Sequence, residues 1–334
     1  MLKLLKYTVL GLAIFTWLLA YSPFLFKKSY EYQLLTDAYQ YGDLYKLSYL
    51  PAFKQKAPPY SKDKQKKITN TNIVIIGDSF TEPQRIDSTD IISEKYNWCH
   101  WGQKQKISLN KNSKNILILE TVERRLTEHF SKTSDELLTE NTPINSLLKT
   151  EMGVIESMSA YVFPGSENID KRFEVIFDSG VFLWLKERKA LMNKMLFNKI
   201  NKDVYVNNNQ IFINEEIDSN LETSSFHLTS DNDIDFWVKN INKIKEKYLK
   251  MGFDEVYLSI IPNKVSILAP QIGNYNFRIK RIEQNKLLAL PVISIYDDFK
   301  KSPQSVYLHG DTHWNDFGRK IWLKKVNQIL DSQK

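Results

Sequence analysis

Two short stretches far apart in the sequence carry the residue types needed for nucleophilic acyl chemistry: Gly77-Asp78-Ser79-Phe80 and Asp311-Thr312-His313-Trp314. A serine hydroxyl is a weak nucleophile until an imidazole takes its proton. The imidazole in turn needs a carboxylate to fix its tautomer and stabilise its charged form. Ser79, His313 and Asp311 supply these three groups. Of the five histidines, His100, His129, His227, His309 and His313, two lie two residues from Asp311. His313 is the better base: Trp314-Asn315 and Gly318 follow it, and Asn315 or Asp316 can cap a terminal helix, setting the imidazole at that helix's N-terminus. Cys99, the single cysteine, is a second nucleophile type, but with Trp98 and Trp101 beside it the better reading is a small buried hydrophobe. One cysteine can form neither an intramolecular disulfide nor a metal site of two or more thiolates.

These groups can meet only if a fold brings them to one edge. Ile73-Val74-Ile75-Ile76 reads as a buried strand, 72–76, and a serine just past it, beside a glycine that permits a tight turn, sits at the sheet's carboxyl edge. A second strand is expected at 115–119. It runs into Glu120-Thr121-Val122-Glu123-Arg124-Arg125, which opens a helix toward Phe130. A third is expected at 255–261 after an amphipathic helix at 234–251, and a fourth at 292–296. The last helix should run from Asn315 or Asp316 to about Leu330, with Ile321, Trp322, Val326 and Leu330 inward. Strands alternating with helices predict an α/β fold with a mainly parallel sheet. Residues 131–230 break the rhythm and are expected to form an insertion covering the active site. Within it, Val204-Tyr205-Val206, three asparagines and Ile211-Phe212-Ile213 signal a hairpin. Phe182-Leu183-Trp184-Leu185 lies in a helical stretch with interleaved Lys and Arg; a core-facing stripe is the expectation, against a face resting on a membrane or a partner.

The N-terminus carries an uncharged run over residues 7–26, YTVLGLAIFTWLLAYSPFLF. As a helix it matches a hydrocarbon core of roughly 30 Å. Leu18-Leu19-Ala20 is a poor cleavage site and the run continues to Phe26, so an uncleaved anchor is expected rather than a signal peptide. Lys3 and Lys6 before it and Lys27 and Lys28 after it nearly balance, with the N-terminal amine tipping the N-terminus inward. The remaining chain is then exported, single-pass from the cytoplasmic (inner) membrane, and faces the periplasm or the cell exterior. The expected organisation is a membrane anchor at 1–28, a short helix (29–50) and a Lys- and Pro-rich linker (54–67) within 29–70, and a catalytic domain at 71–334. The chain of 334 residues has a formal net charge of +7, with basic residues scattered among acidic ones. No dense basic stripe or nucleic-acid module is visible, so nucleic acid is not an expected partner. Solubility, or attraction to an anionic surface such as lipid headgroups or an acidic glycan, fits this charge better.

On Gly77-Asp78-Ser79-Phe80, Val122-Glu123-Arg124, Asp311-Thr312-His313-Trp314-Asn315 and Pro262-Asn263-Lys264, the chain resembles the SGNH (GDSL-type) hydrolase superfamily. Within it, the closer resemblance is to the SGNH-like polysaccharide O-acetyltransferases, such as the alginate acetylation proteins. In the superfamily the serine follows the first strand and the Asp–His pair precedes the last helix. The resemblance implies a three-layer SGNH-like fold and O-acetyl transfer onto a polysaccharide, with no metal or cofactor. It also implies a membrane-embedded partner that supplies the acyl group. In the alginate proteins the Asp-x-His precedes the serine, whereas here Ser79 comes first. The Gly-x-Asn-Asp element that usually gives an oxyanion-hole Asn is not found after Leu119. Gly102 and the Ser79 N–H are the candidate donors. Arg124 either positions an anionic substrate or pairs with Glu120 or Glu123. A carbohydrate esterase with the same triad and a non-catalytic glycan-binding subunit of an export complex are the alternatives.

Overall fold

Apolar runs that carry no charge along most of their length are stable in a sheet only when both faces are covered, and the centre of this fold is built from such runs. The structure, a computed structural model, describes residues 2–61, 69–134, 136–139 and 166–332. Strands β1 (Thr69–Gly77), β2 (Ser93–His100), β3 (Gln105–Ile107), β4 (Lys114–Val122), β5 (Leu137–Thr139), β6 (Val204–Asn207), β7 (Gln210–Ile213) and β8 (Glu255–Ile261) are accompanied by eleven α-helices among the described residues. These are α1 (Leu2–Tyr21), α2 (Pro23–Glu31), α3 (Asp43–Ser48), α4 (Leu126–Phe130), α5 (Ser166–Phe177), α6 (Gly180–Phe197), α7 (Asp231–Met251), α8 (Lys264–Leu268), α9 (Arg278–Glu283), α10 (Tyr296–Lys301) and α11 (Asp316–Asp331).

The main sheet is parallel, in the order β2-β1-β4-β8. In β1, Ile73 through Gly77 pair with Tyr96 through His100 of β2, while Ile73 through Ile76 pair with Ile116 through Leu119 of β4. Nearly every residue of β1, β4 and β8 is buried. The chain order reverses between β1 and β4, so the carboxyl ends of these strands flank a topological switch point, where α/β sheets place their ligands. Helix α7 starts in a capping box between Ser230 and Asp233 and stops at Gly252, whose φ of 113° favours glycine. Helix α11 buries Trp322, Leu323, Val326 and Leu330, and the Trp322 indole donates to Ser259 Oγ in β8 (2.9 Å).

Several expectations change. Strand β2 was not anticipated: Ser-Glu-Lys-Tyr-Asn-Trp-Cys-His is polar, and as an edge strand it is only partly buried. Residues 292–296 form no strand. One parallel bridge joins Val292 to Leu258, and the chain turns into α10 at Tyr296, where Asp297 and Asp298 occupy the first helical turn. The expected helix at 29–50 ends at Glu31; Gln33 at φ 58° and Gly42 at φ 101° separate it from the short α3. The apolar N-terminal run is also divided. Helix α1 covers Leu2–Tyr21, and Ser22 caps α2, whose first residue is Pro23. Among the described residues, one segment is long and apolar enough to cross a membrane, Lys3–Tyr21, with mean hydropathy 1.6. The hairpin is present as β6-β7, with Asn208 and Asn209 both at positive φ (46° and 59°) in the turn.

The chain divides into two compact units: residues 1–56 with 144–201, and residues 57–143 with 202–334. The first is helical in its described part and contains α1; the second contains the sheet. The segment expected as one insertion is thus shared, with 202–230 in the sheet unit, while its residues 140–165 lie outside the described ones. Residues 62–67 of the expected linker, with 68, lie outside them too. The linker's preceding residues are docked on the sheet unit: Tyr60 OH donates to Trp314 O (3.0 Å) and Ser61 Oγ to Asp316 (2.6 Å). The core-facing reading of 182–185 holds for Leu183, which is buried against Ala38 and Tyr45, and fails for Phe182, Trp184 and Leu185, which are exposed.

Candidate active site

Ser79 stands two residues beyond β1, in a turn that buried carboxylates shape. Asp78 accepts the Phe80 N–H on Oδ1 (3.0 Å) and the Val122 N–H on Oδ2 (2.8 Å), tying the turn to the end of β4. Glu120, fully buried on β4, accepts the Asp78 N–H (3.0 Å) and the Thr81 hydroxyl (2.7 Å) on Oε2. Trp98 Nε1 donates to Thr81 Oγ1 (3.1 Å), extending the network to β2. Burial first, and then the neighbouring Asp78 charge, push the Glu120 carboxyl well above its ordinary range. Gly77 is required by this arrangement rather than by its dihedrals. A Cβ there would stand 2.7 Å from Glu120 Oε2 and closer still to Thr81 Oγ1.

His313 arrives on a different loop. An antiparallel bridge between Tyr307 and Trp314 closes it, with the Leu308 N–H donating to His313 O (3.0 Å). Inside the loop, Lys264 Nζ donates to the carbonyls of Leu308 (2.8 Å), His309 (2.9 Å) and Asp311 (3.0 Å). Lys264 is 1% exposed, so its ammonium is held inside the loop by these carbonyls. Asp311 Oδ1 accepts the His313 N–H (2.8 Å) and contacts His313 Nδ1 (2.6 Å). With Nδ1 so engaged, Nε2 points to Ser79 Oγ at 2.7 Å, across 234 positions of sequence. Burial alone would raise the Asp311 carboxyl; the charge and hydrogen bonds of His313, with Arg85, outweigh it and hold the group well below the carboxylate range. Phe80 packs on the imidazole (ring centroids 4.8 Å) and edge-on to Trp314 (5.3 Å).

The structure therefore brings together Ser79, His313 and Asp311, and it selects His313 over His309, whose carbonyl serves the Lys264 clamp. Gly102 follows β2 at the same carboxyl edge with φ 78°, but its N–H donates to Glu136 Oε1 (3.3 Å). The Ser79 N–H has no acceptor among the described residues. Arg124 pairs neither with Glu120 nor with Glu123. Its guanidinium meets Glu216 (2.8 Å) and Glu215 (3.4 Å), and its N–H donates to Asn263 Oδ1 (3.1 Å). Glu123 instead accepts the Asn263 N–H (3.1 Å) and the Ser266 hydroxyl (2.6 Å). Burial raises Glu216 to about 7 against the pull of Arg124. Cys99 is buried, and burial lifts its thiol to about 11, the opposite of an activated nucleophile.

Sequence reasoning missed the support around the triad. Glu120 was placed just past the 115–119 strand, as a possible partner of Arg124, and Lys264 stood out only within Pro262-Asn263-Lys264, its role depending on a loop more than forty residues later. Arg85, which donates to Ser79 O (3.0 Å), carried no sequence signal. No family model matches the chain, and neither the curated proteins nor the solved structures give a match.

Proposed function

We propose that the protein is a membrane-anchored serine O-acyltransferase of the SGNH type, transferring an acetyl group to a hydroxyl of a cell-surface or secreted polysaccharide. The observation that carries this reading is the continuous relay from Ser79 Oγ through His313 Nε2 and Nδ1 to Asp311 Oδ1, at 2.7 and 2.6 Å. The parallel sheet with Ser79 at its switch point and the resemblance of the four motifs support the assignment. The apolar helix at Lys3–Tyr21 supports the anchor.

In the first half-reaction, His313 Nε2 takes the Ser79 proton as Oγ attacks the acyl carbonyl. The Ser79 N–H is placed to meet the developing oxyanion. Collapse breaks the bond to the donor's leaving group, which takes the proton from His313, and leaves acetyl-Ser79. In the second, a sugar hydroxyl gives its proton to His313 as its oxygen attacks the acyl carbonyl. The acetyl passes to the sugar and the proton returns to Ser79. Asp311 stays ionised throughout and stabilises the imidazolium. Outside the cytoplasm, the acyl group would come from a membrane-embedded partner that passes it outward.

Water in place of the sugar makes the same triad an esterase, so the test must separate the acceptors. The full-length protein in detergent is given an activated acetyl ester, with and without oligosaccharides, and free acetate and acetylated sugar are followed by mass spectrometry. Acetylated sugar formed at the expense of acetate is expected. Acetate release unaffected by any sugar would make the protein an esterase, and no turnover at all would contradict both readings.

A further inference from the structure

Helix α6 buries one side and leaves another apolar side uncovered. Its inward side is Leu183, 4% exposed against Ala38 and Tyr45, together with Glu187, which accepts the Tyr45 hydroxyl (2.5 Å) and meets Lys54 (2.9 Å). At 3.6 residues per turn, Val181, Trp184, Leu185, Met192, Met195 and Leu196 fall on one arc of about 120° on the opposite side. Their exposures run from 50% at Trp184 to 80% at Met195. A contiguous apolar arc of this kind on a helix that is already packed marks an interaction surface.

The same unit indicates what covers it. In the last turn of α1, Leu19 and Ala20 are buried, packed against Ile176 of α5 and beside Phe173. Arg172 donates to the Ala20 carbonyl (3.2 Å) and lies over the Phe26 ring. The end of α5 touches α6 through Phe177 and Phe182 (ring centroids 4.9 Å, edge-on). Helix α6 thus begins where the apolar helix leaves its hydrocarbon-length span, and Trp17 stacked on Tyr21 (4.9 Å) sits at that end, as aromatic residues do at headgroup level. Arg188 lies within the exposed arc, its guanidinium over the Trp184 ring (5.4 Å), and Lys189 borders it. Cations among apolar side chains suit the boundary of lipid phosphates and acyl chains, where long stems lie in the apolar layer and the charged heads reach out. A two-fold contact between copies through this arc would instead bring Arg188 toward its own mate.

We propose that α6 lies in the interface of an anionic bilayer, its Trp184–Leu185–Met192–Met195–Leu196 side in the headgroup–acyl boundary and Arg188 and Lys189 on lipid phosphates. This rests on reading α1 as a membrane span, and the test separates the two. In a Cys99→Ser background, an environment-sensitive fluorophore is attached at Leu12→Cys, Leu185→Cys, Met195→Cys or, as an aqueous control, Glu246→Cys. The full chain is reconstituted in phosphatidylglycerol–phosphatidylcholine vesicles containing spin-labelled lipid. Loss of most fluorescence is expected at 12, 185 and 195, with little loss at 246. Replacing Arg188 and Lys189 by Glu should reverse much of the loss at 195. Quenching at 12 but not at 185 and 195 would overturn the α6 proposal while leaving the span intact. Labels at 185 and 195 shielded from aqueous iodide yet untouched by lipid quencher would assign the face to a second copy and overturn it too. No quenching at 12 would remove the span and the proposal together, and quenching at 246 as strong as at 185 would remove the claim of a specific face.

Discussion

At the Ser79 turn, carboxylates collect backbone N–H groups: Asp78 and Glu120 accept from Asp78, Phe80 and Val122. At the His313 loop, an ammonium collects carbonyls: Lys264 donates to Leu308, His309 and Asp311. Irregular backbone at the edge of a buried sheet leaves polar groups that must be satisfied. The two loops solve that problem with opposite charges, because one presents donors inward and the other acceptors. The difference has a consequence. A carboxyl pushed upward by burial can hold its turn as the neutral acid, whereas Lys264 has no neutral form that donates three hydrogen bonds.

The largest expected effect tests what the two loops jointly achieve. Ser79→Ala should lower kcat on an activated acetyl ester by at least about 10³-fold, with an unchanged far-UV spectrum. Asp311→Asn should cost about 10³–10⁴-fold, since an amide cannot hold Nδ1 protonated in the same way; single-turnover acylation is the readout. On the base loop, Lys264→Met should remove about 3 kcal/mol of stability in urea unfolding, because three buried carbonyls lose a charged donor, and kcat should fall more than KM. An unaffected kcat would mean that the loop holds His313 without its clamp. On the nucleophile turn, Gly77→Ala should cost about 2–3 kcal/mol by overpacking against Thr81 and Glu120.

The smallest expected effect is at Glu120→Gln, a neutral isostere, which should retain most activity. Its signature lies in pH. With the folded carboxyl raised, the native state binds more protons than the unfolded chain. Stability is therefore fully present below the unfolded carboxylate range and declines as pH rises toward the folded value. Glu120→Gln should flatten that decline in unfolding free energies between acid and neutral pH. Asp311 has the opposite sign: its lowered carboxyl contributes above the unfolded value, and the contribution is lost as pH falls. A Glu120→Gln protein as impaired as Lys264→Met would erase the contrast between the two anchors.

What the sequence made legible follows the same division. Strands β1, β4 and β8 were readable because a strand buried on both faces carries an apolar run, here 73–76, 116–119 and, broken only by Ser259, 256–261, and the hairpin because paired asparagines accept positive φ. The meeting of Ser79, His313 and Asp311 was expected because acyl-transfer chemistry would need those residue types beside a strand end and a helix start. Strand β2 was hidden by the polarity an edge tolerates, and 292–296 mimicked a strand while making a single bridge. The partners of Arg124, Glu215 and Glu216, lie about ninety residues on, where only the fold can connect them. The exposed side of α6 was masked because an apolar residue carries the same letter whether it faces a core or a lipid.

The central claim is that Ser79 carries the acyl group. The full-length protein is mixed with an activated acetyl ester, quenched in acid during turnover, digested, and read by mass spectrometry. An acetyl adduct on Ser79 itself is expected in the wild-type chain and absent in His313→Ala. Turnover without any adduct on Ser79, or turnover that survives Ser79→Ala, would contradict it.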